Sequence, residues 1–395
     1  MDRIEKTRSV TDFARFRDDC CNSWKCLGQR LGRSAFFNEL ENMTIQNSVR
    51  PEIRQMKGYV SGEQPAFGKF IKLNTNENPF APSNKVIDAI HDTAAGKLNV
   101  YPDAMANSFR IAAAEVLGVD KDWILCGNGS DDLLTIITRT FVSTGSKIRI
   151  PYPSYVLYRT LAEIQGAAIE EIQFDENWKL PESFGVDDDN LSLVFLPNPN
   201  SPSGTVISPE GVLKLANAIS CPLVVDEAYA DFASTDCLHL VKEASNIIVT
   251  RTLSKSYGLA GLRFGFAVAN PETIAEMQKV KDSYNCDALA IAGATAAISD
   301  QHWLQGNIRI VKSLRGVMES ELSKLGFDVQ PSEANFVWCK HPDFDSKQLY
   351  NKLKENHILV RYMDYPNWGD GIRISVGTSN QISALITILE SIITV

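Results

Sequence analysis

The chain has 395 residues, long enough for two domains with a large core, and its 44% hydrophobic and 22% charged residues are typical of a globular protein. A net charge of −9 excludes the basic surface on which nucleic-acid and anionic-membrane binders depend. No apolar run reaches the roughly 18 residues of a membrane span and no signal peptide opens the chain, so we expect a cytoplasmic protein.

Eight cysteines are present, and none of them forms a CxxC pair. The five that follow residue 100 stand singly in apolar or loop segments. This spacing disfavours both a zinc cluster and a disulfide framework. We therefore expect reduced thiols and no metal site.

The first part of the chain differs in character from the rest. Residues 1–42 mix charges and cysteines, with no turn chemistry leading into a core element, and their acidic residues argue against a transit peptide. We expect an N-terminal extension outside the core, with a helical arm as the alternative. Residues 43–75 are polar and read as an N-terminal arm of the domain that follows.

Residues 76–290 show the alternation of an α/β domain. Helical patterns such as DDLLTIITRTFV, YVLYRTLAEIQG and PEGVLKLANAI separate short apolar segments. Strand–helix alternation predicts a mostly parallel sheet covered by helices on both faces, with ligands at the carboxyl ends of the strands. The segments with the length of strands are DWILCG, KIRIPYP, AIEEIQF, LSLVFLP, PLVVDEAY, NIIVTRT and RFGFAVAN.

Residues 291–395 follow a different pattern. A long helical tract that ends in VMESELSKLG comes first, and the strand candidates FDVQP, NFVWCK, ILVRYM and GIRISVG come after it. Helices and strands in separate runs predict a smaller α+β domain.

One lysine stands in an unusual setting, in RTLSKSYGLAGLRFG after the apolar run NIIVT. Lys255 and Asp226 both follow strands, Tyr229 comes three residues after Asp226, and Arg263 can grip a phosphate with two hydrogen bonds. Taken singly, Asp226 reads as a cap or ion-pair residue, Tyr229 as a core aromatic and Lys255 as an exposed lysine. Their common position at strand ends favours one shared site.

An anion site is predicted nearby. The segment CGNGSDD places glycines and Ser130 directly before a helix, where free backbone N–H groups attract an anion, and LPNPNSPSG forms a rigid turn after another strand. Pyridoxal 5'-phosphate needs a lysine for its aldehyde, a carboxylate for its ring nitrogen and a cup for its phosphate. The sequence therefore predicts this cofactor, bound at the strand ends.

The chain resembles the fold-type I, class II pyridoxal-phosphate aminotransferases over about residues 48 to 390, and within them the histidinol-phosphate branch. The motifs that carry the resemblance are VRPEIRQMKGY, KLNTNENPFAPS, YPD, GNGSDD, PNPNSPSG, DEAYADF, RTLSKSYGLAGLRFG, ILVRYMD and IRISVGT. It implies a large cofactor-binding domain, a smaller C-terminal domain and an obligate homodimer.

The resemblance also implies roles for the cofactor-binding residues. Lys255 would bond the cofactor aldehyde and move protons, Asp226 would pair with the ring nitrogen, Tyr229 would hydrogen-bond the ring hydroxyl, and Tyr155 would stack on the ring. Tyr101 would reach the cofactor phosphate of the neighbouring subunit. The residues implied around the phosphate in the same subunit are Ser130, Asp131, Thr252, Ser254 and Arg263.

Substrate contacts are implied in the same way. Arg373 would hold the α-carboxylate, Arg361 the substrate phosphate or distal carboxylate, and Tyr59 would close over the substrate. The sequence departs from the family at Ser201, where the family often has an asparagine that hydrogen-bonds the ring hydroxyl. The contact would then be lost, water-mediated or supplied by Asn200.

The implied activity is amino-group exchange between histidinol phosphate and 2-oxoglutarate, with glutamate as the other donor, in histidine biosynthesis. Transamination of aromatic amino acids and decarboxylation of threonine phosphate remain open, because both run on the same scaffold. A non-catalytic cofactor-binding sensor is the alternative from another class, although the chain offers no helix-turn-helix pattern for such a role.

Overall fold

The computed structural model describes residues 48–58, 62–64 and 70–394. The chain divides into two compact units, of which the first ends at Met56 and the second begins at Lys57. The described part of the first unit contains helix α1 (Pro51–Gln55), with a proline in its first turn. The extension predicted over residues 1–42 lies outside the described residues.

The second unit contains the remaining described elements. Its helices are α2 (Asn84–Ala94), α3 (Asn107–Leu117), α4 (Ser130–Phe141), α5 (Leu157–Gln165), α6 (Pro209–Ala218), α7 (Pro271–Val280), α8 (Ala288–Ser299), α9 (Gln301–Lys324), α10 (Ser346–Glu355) and α11 (Ser379–Ile393). Its strands are β1 (Ile71–Lys72), β2 (Ile124–Gly127), β3 (Lys147–Tyr152), β4 (Ala168–Gln173), β5 (Leu191–Pro197), β6 (Leu223–Asp226), β7 (Ile247–Thr252), β8 (Gly265–Val268), β9 (Asp328–Gln330), β10 (Phe336–Lys340), β11 (Ile358–Leu359), β12 (Arg361–Tyr365) and β13 (Gly369–Ser375).

A seven-stranded sheet in the order β2-β8-β7-β6-β5-β3-β4 contains all seven strands predicted between residues 122 and 270. Strands β4, β3, β5, β6 and β7 pair in parallel, and β8 runs antiparallel between β7 and β2. The predicted α/β fold with a mostly parallel sheet is therefore confirmed.

Both faces of this sheet are buried, which explains why its central strands contain runs of apolar residues. Along β6, Leu223 and Val225 belong to one core cluster while Val224 between them belongs to another. Successive side chains of a strand point to opposite faces, so a strand with a core on each side has no solvent-facing position to fill with polar residues.

A four-stranded antiparallel sheet, in the order β12-β13-β10-β9, contains the strands predicted from FDVQP, NFVWCK and GIRISVG. The predicted strand ILVRYM is divided, because its last residues belong to β12 of this sheet while Ile358 and Leu359 form β11, which pairs with β1. The long helical tract before it is divided into α8 and α9, because the backbone of Asp300 (φ −96°, ψ 59°) leaves the helical conformation. Strand β1 pairs in parallel with β11, and Ser375 donates its N–H to the Leu73 carbonyl at 2.9 Å. The segment that follows β1 is thus attached to the end of β13.

None of the helices in the described part of the chain is long and apolar enough to cross a membrane.

Candidate active site

A cavity opens at the carboxyl ends of β5, β6 and β7. It brings together residues that lie far apart in the sequence, as expected for ligand sites of parallel sheets. The predicted site residues that line it are Ser130, Asp131, Tyr155, Ser201, Asp226, Tyr229, Thr252, Ser254, Lys255, Arg263, Arg361 and Arg373.

Asp226, the last residue of β6, presents a buried carboxylate to this cavity and is 4% exposed. Its Oδ2 accepts a 2.7 Å hydrogen bond from the Tyr158 hydroxyl, and its Oδ1 accepts from Thr250 Oγ1 at 3.2 Å. Burial raises the pKa of Asp226 to about 6 although these donors act to lower it. No cationic side chain in the described part of the chain pairs with this carboxylate, so the site has room for a positive charge from a ligand.

Lys255 extends its amine into the cavity from the turn that follows β7. Its Nζ lies 3.3 Å from the Thr75 carbonyl oxygen and 5.6 Å from the centroid of the Tyr229 ring. The backbone on both sides is fixed, because Asn78 Nδ2 donates to the Lys255 carbonyl at 2.9 Å and Asn307 Nδ2 to the Ser256 carbonyl at 3.1 Å. The amine is therefore held on a rigid base in a cavity that can admit an aldehyde.

A phosphate-sized group of donors lies at one end of the cavity. Helix α4 begins at Ser130 without a side-chain cap, which leaves backbone N–H groups of its first turn available to an anion. Thr252 Oγ1 lies 3.0 Å from Ser254 Oγ, and Arg263 Nη1 donates to Ser254 Oγ at 3.3 Å. Asp131 lies at the edge of this cup, with its Oδ2 3.5 Å from Arg263 Nη2.

Two backbone positions show that the cup is tightly built. Arg263 adopts a left-handed conformation (φ 55°), which is uncommon for a residue other than glycine. A Cβ atom on Gly265 would lie 2.7 Å from the Ser130 nitrogen and from the Gly129 carbonyl carbon. The first residue of β8 must therefore lack a side chain for the turn before α4 to approach the sheet.

The segment after β1 contributes site residues that the sequence analysis did not single out, although it quoted the motif KLNTNENP around them. Asn76 donates its Nδ2 to the Tyr229 hydroxyl oxygen at 3.0 Å, and its backbone N–H bonds to Ser375 Oγ at 2.8 Å. Because Tyr229 accepts from Asn76, its own O–H proton is available to a ligand. The sequence signal that could have identified Asn76 is the asparagine-rich segment that directly follows strand β1.

The two predicted substrate arginines lie side by side in the small sheet. Arg361 of β12 and Arg373 of β13 are directly opposed in the strand pairing. Arg373 donates through Nη1 to Ser201 Oγ at 2.9 Å and through Nη2 to the Asn74 carbonyl at 3.1 Å. The side chain of Arg361, a residue of the same strand pairing, makes no hydrogen bond or ion pair with another residue in the described part of the chain. The Ser201 hydroxyl, which stands where the family often has an asparagine, thus bonds to the predicted substrate arginine Arg373.

Two further predicted residues, Asn200 and Tyr101, do not line the cavity. Asn200 is 2% exposed, and its Nδ2 donates to Ser203 Oγ at 2.9 Å and to the Pro153 carbonyl at 3.3 Å. Tyr101 is 76% exposed and stacks on Tyr284, with ring centroids 4.4 Å apart. Tyr59 lies outside the described residues.

The residues present fit pyridoxal 5'-phosphate. The cofactor's protonated ring nitrogen would supply the positive charge that the buried carboxylate of Asp226 lacks, and its phosphate would fit the donors around Ser130, Ser254 and Arg263. Lys255 lies in the same cavity for the aldehyde. Amine, carboxylate and phosphate cup are the three groups that this cofactor requires.

Comparison with known proteins agrees with this geometry. The model of the family "Aminotransferase class I and II" matches residues 68–389. The chain is similar to the histidinol-phosphate aminotransferase of Rhodopirellula baltica, at 57% identity over 86% of this chain and 94% of the relative. It is also similar to histidinol-phosphate aminotransferase 1 of Trichormus variabilis, at 44% identity over 88% of this chain and 100% of the relative.

The structure is similar to that of histidinol-phosphate aminotransferase from Sinorhizobium meliloti, which was solved in complex with pyridoxal 5'-phosphate. The TM-score is 0.78 at 25% sequence identity, covering 88% of this chain and 97% of the other. Fold, site and sequence agree, and the chain belongs to the class I and II aminotransferase family.

Proposed function

We propose that this protein is a pyridoxal-phosphate-dependent aminotransferase that exchanges the amino group of histidinol phosphate with 2-oxoglutarate, in histidine biosynthesis. The 57% identity to a relative with that name supports the substrate, and the twelve predicted residues around one cavity support the chemistry. The bound cofactor supplies an electron sink for the bond broken at the substrate α-carbon.

The observation that carries the substrate assignment is the pair of opposed arginines. Residues directly opposite each other in an antiparallel pair share a face, and like charges there destabilise the sheet. Arg361 and Arg373 are opposed in this way, and both line the cavity. An anionic substrate group beside them offsets the repulsion. Arg361 would receive the phosphate of histidinol phosphate or the distal carboxylate of glutamate, and Arg373 the α-carboxylate of glutamate and 2-oxoglutarate.

The remaining side chains orient the reaction. Lys255 Nζ would receive the proton from the substrate α-carbon and deliver it to the cofactor carbon that carried the aldehyde, since Lys255 is the lysine among the described residues that line the cavity. Tyr229 donates its free hydroxyl proton to the ring hydroxyl, Tyr155 covers one ring face, and Tyr59 closes over the substrate. Thr252 and Ser254 hold the cofactor phosphate together with the start of α4.

We also propose a cytoplasmic homodimer whose Tyr101 serves the partner's phosphate cup. Leu98 and Val100 beside it are 55% and 59% exposed, an apolar surface that a second subunit would cover. The proposed organisation is an extension over residues 1–42, an arm over 43–75, a large domain over 76–290 and a small domain over 291–395.

An absorbance experiment tests the proposal. Mixing the purified protein with histidinol phosphate should convert the aldehyde form of the cofactor to the amine form, and 2-oxoglutarate should restore it. Faster conversion by phenylalanine or tyrosine would replace histidinol phosphate with an aromatic substrate, and carbon dioxide release from threonine phosphate would make the protein a decarboxylase. If none of these compounds converts the cofactor, and Lys255→Ala changes only the absorbance of a protein that is already inactive, the protein would be a cofactor-binding sensor.

A further inference from the structure

Helix α5 places two tyrosines beside the proposed cofactor ring. Tyr155, directly before the helix, lines the cavity, and Tyr158 in its first turn is fully buried. The two rings meet edge to face at 5.6 Å, and the Tyr158 ring stacks on Phe195 of β5 at 4.6 Å. Packing on both sides fixes the Tyr158 ring, so its hydroxyl has one position.

That hydroxyl is aimed at the carboxylate of Asp226. The Tyr158 Oη to Asp226 Oδ2 distance is 2.7 Å, a charge-assisted hydrogen bond shorter than those that Oδ1 accepts from Thr250 Oγ1 (3.2 Å) and the Ala228 N–H (3.3 Å). Because both side chains are buried, this bond is stronger than it would be in water.

We propose that Tyr158 is a positioning residue that holds Asp226 as an oriented anion for the protonated ring nitrogen of the cofactor. The inference depends on the proposed cofactor function and adds a residue to it. Tyr158 touches neither substrate nor reacting atoms in this assignment, since it acts through Asp226. A buried phenylalanine would fill the same space, so only the hydroxyl carries the role.

The charged and titratable groups around Asp226 favour this assignment. Asp131 of α4 disfavours a second negative charge nearby, and burial acts in the same direction on the Asp226 pKa. Tyr155, Tyr229 and Lys255 line the same cavity, and Lys255 forms no ion pair with Asp226. Among the groups that lower the pKa of Asp226, the Tyr158 hydroxyl acts most strongly. Without it, the carboxylate would take up a proton and lose its attraction for a cationic ring.

The test compares Tyr158→Phe with Tyr257→Phe. Tyr257 is also a buried tyrosine (6% exposed), but its hydroxyl accepts from Gln301 Nε2 at 3.4 Å and forms no hydrogen bond with a carboxylate of the described residues. The measured quantity is the cofactor dissociation constant, from equilibrium dialysis of the full-length protein against graded pyridoxal 5'-phosphate. We expect Tyr158→Phe to raise it about tenfold, the effect of one hydrogen bond to a charged group, and Tyr257→Phe to leave it within about twofold.

A second measurement separates a specific role from a general packing defect. In an Asp226→Asn background, Tyr158→Phe should change the cofactor dissociation constant less than about twofold, because the anion it holds is gone. The loss of affinity in Tyr158→Phe alone should also be largest near pH 6 and shrink towards pH 8, because at the higher pH Asp226 is ionised even without the hydrogen bond that lowers its pKa.

Equal dissociation constants for Tyr158→Phe and Tyr257→Phe would overturn the inference, and so would an undiminished effect in the Asp226→Asn background. A failure of the unmodified protein to bind the cofactor would instead overturn the proposed function. The two failures are therefore distinct.

Discussion

At the scale of single residues, the buried carboxylate of Asp226 lowers the stability of the cofactor-free protein and provides a binding site for a cation. Its pKa is raised to about 6 from an ordinary value of 3.8, mainly by burial. The native protein therefore holds this proton more tightly than the unfolded chain does. The stability that protonated Asp226 contributes is fully present below pH 4 and is lost as the pH rises through about 6.

We expect Asp226→Asn to stabilise the cofactor-free protein at pH 8 by about 1–3 kcal/mol, because it removes a buried charge. The gain should vanish below about pH 4, where Asp226 itself is neutral. Urea unfolding at pH 4, 6 and 8 measures the difference. Asp364→Asn, on an exposed position of β12, is the control and should show no such dependence. A pH-independent difference for Asp226→Asn would contradict the assignment.

Gly265 is the second residue whose identity the site dictates. An added Cβ would lie 2.7 Å from the Ser130 nitrogen and 2.8 Å from the Arg251 carbonyl oxygen, and both contacts are backbone atoms that cannot turn aside. We expect Gly265→Ala to lower the free energy of unfolding by about 1–3 kcal/mol and to weaken cofactor binding through the displaced turn. Gly261→Ala, where a Cβ meets nothing within 4 Å, is the matched control for urea unfolding and cofactor titration. Equal effects of the two substitutions would show that the close approach is unimportant.

At the scale of elements, β12 and β13 form the proposed substrate end of the cavity. Their pairing places Arg361 opposite Arg373, and the second arginine is held by Ser201 and Asn74 while the first has no such partners in the described part of the chain. Strand pairing therefore creates a cationic site whose repulsion an anion relieves. The two-residue strand β1 has a comparable role, because it delivers Asn76 to Tyr229.

We expect inorganic phosphate to raise the melting temperature of the cofactor-loaded protein, and Arg361→Gln to remove most of that effect. The variant should also melt slightly higher than the unmodified protein without phosphate, since cross-strand repulsion amounts to a few tenths of a kcal/mol to about 1 kcal/mol. Thermal unfolding with and without phosphate measures both effects. Arg309→Gln, at an exposed position of α9, should behave as the unmodified protein does. Full phosphate stabilisation of Arg361→Gln would place the anion elsewhere.

At the scale of the whole molecule, the proposed dimer assigns Tyr101 to the partner's site. Tyr101 is 76% exposed and does not line the cavity of its own chain. Both properties are expected of a residue that acts in the site of the partner subunit. We expect Tyr101→Ala and Lys255→Ala each to lower activity as homodimers, by weakened cofactor binding and by loss of the reacting amine. Mixed dimers of the two should recover activity, because the site with an intact Lys255 then receives Tyr101 from its partner.

Co-expression with two affinity tags, followed by an assay of the doubly tagged species, measures this recovery. Mixed dimers with no more activity than the Tyr101→Ala homodimer would show that Tyr101 acts within its own chain. A monomer in light scattering would contradict the dimer itself.

Sequence patterns predicted the strands, their mostly parallel arrangement and most of the residues that line the cavity. Buried strands are short apolar runs that can be recognised in the sequence. Asp226 ends β6 and Lys255 follows β7, so the parallel pairing of these two strands brings both residues to the same edge of the sheet. These features are local along the chain, so periodicity and motif spacing reveal them.

Only the tertiary structure decided which side chains meet across those elements. The hydroxyl of Tyr158 reaches Asp226 across 68 positions of sequence, and Ser201 meets Arg373 across 172. From the sequence alone, Tyr158 belongs to an amphipathic helix and Ser201 to a turn, and nothing in their neighbours distinguishes them. Distances between side chains depend on strand register and helix packing, and both are established by contacts between residues that are remote in sequence. The chemistry of this site depends on those distances.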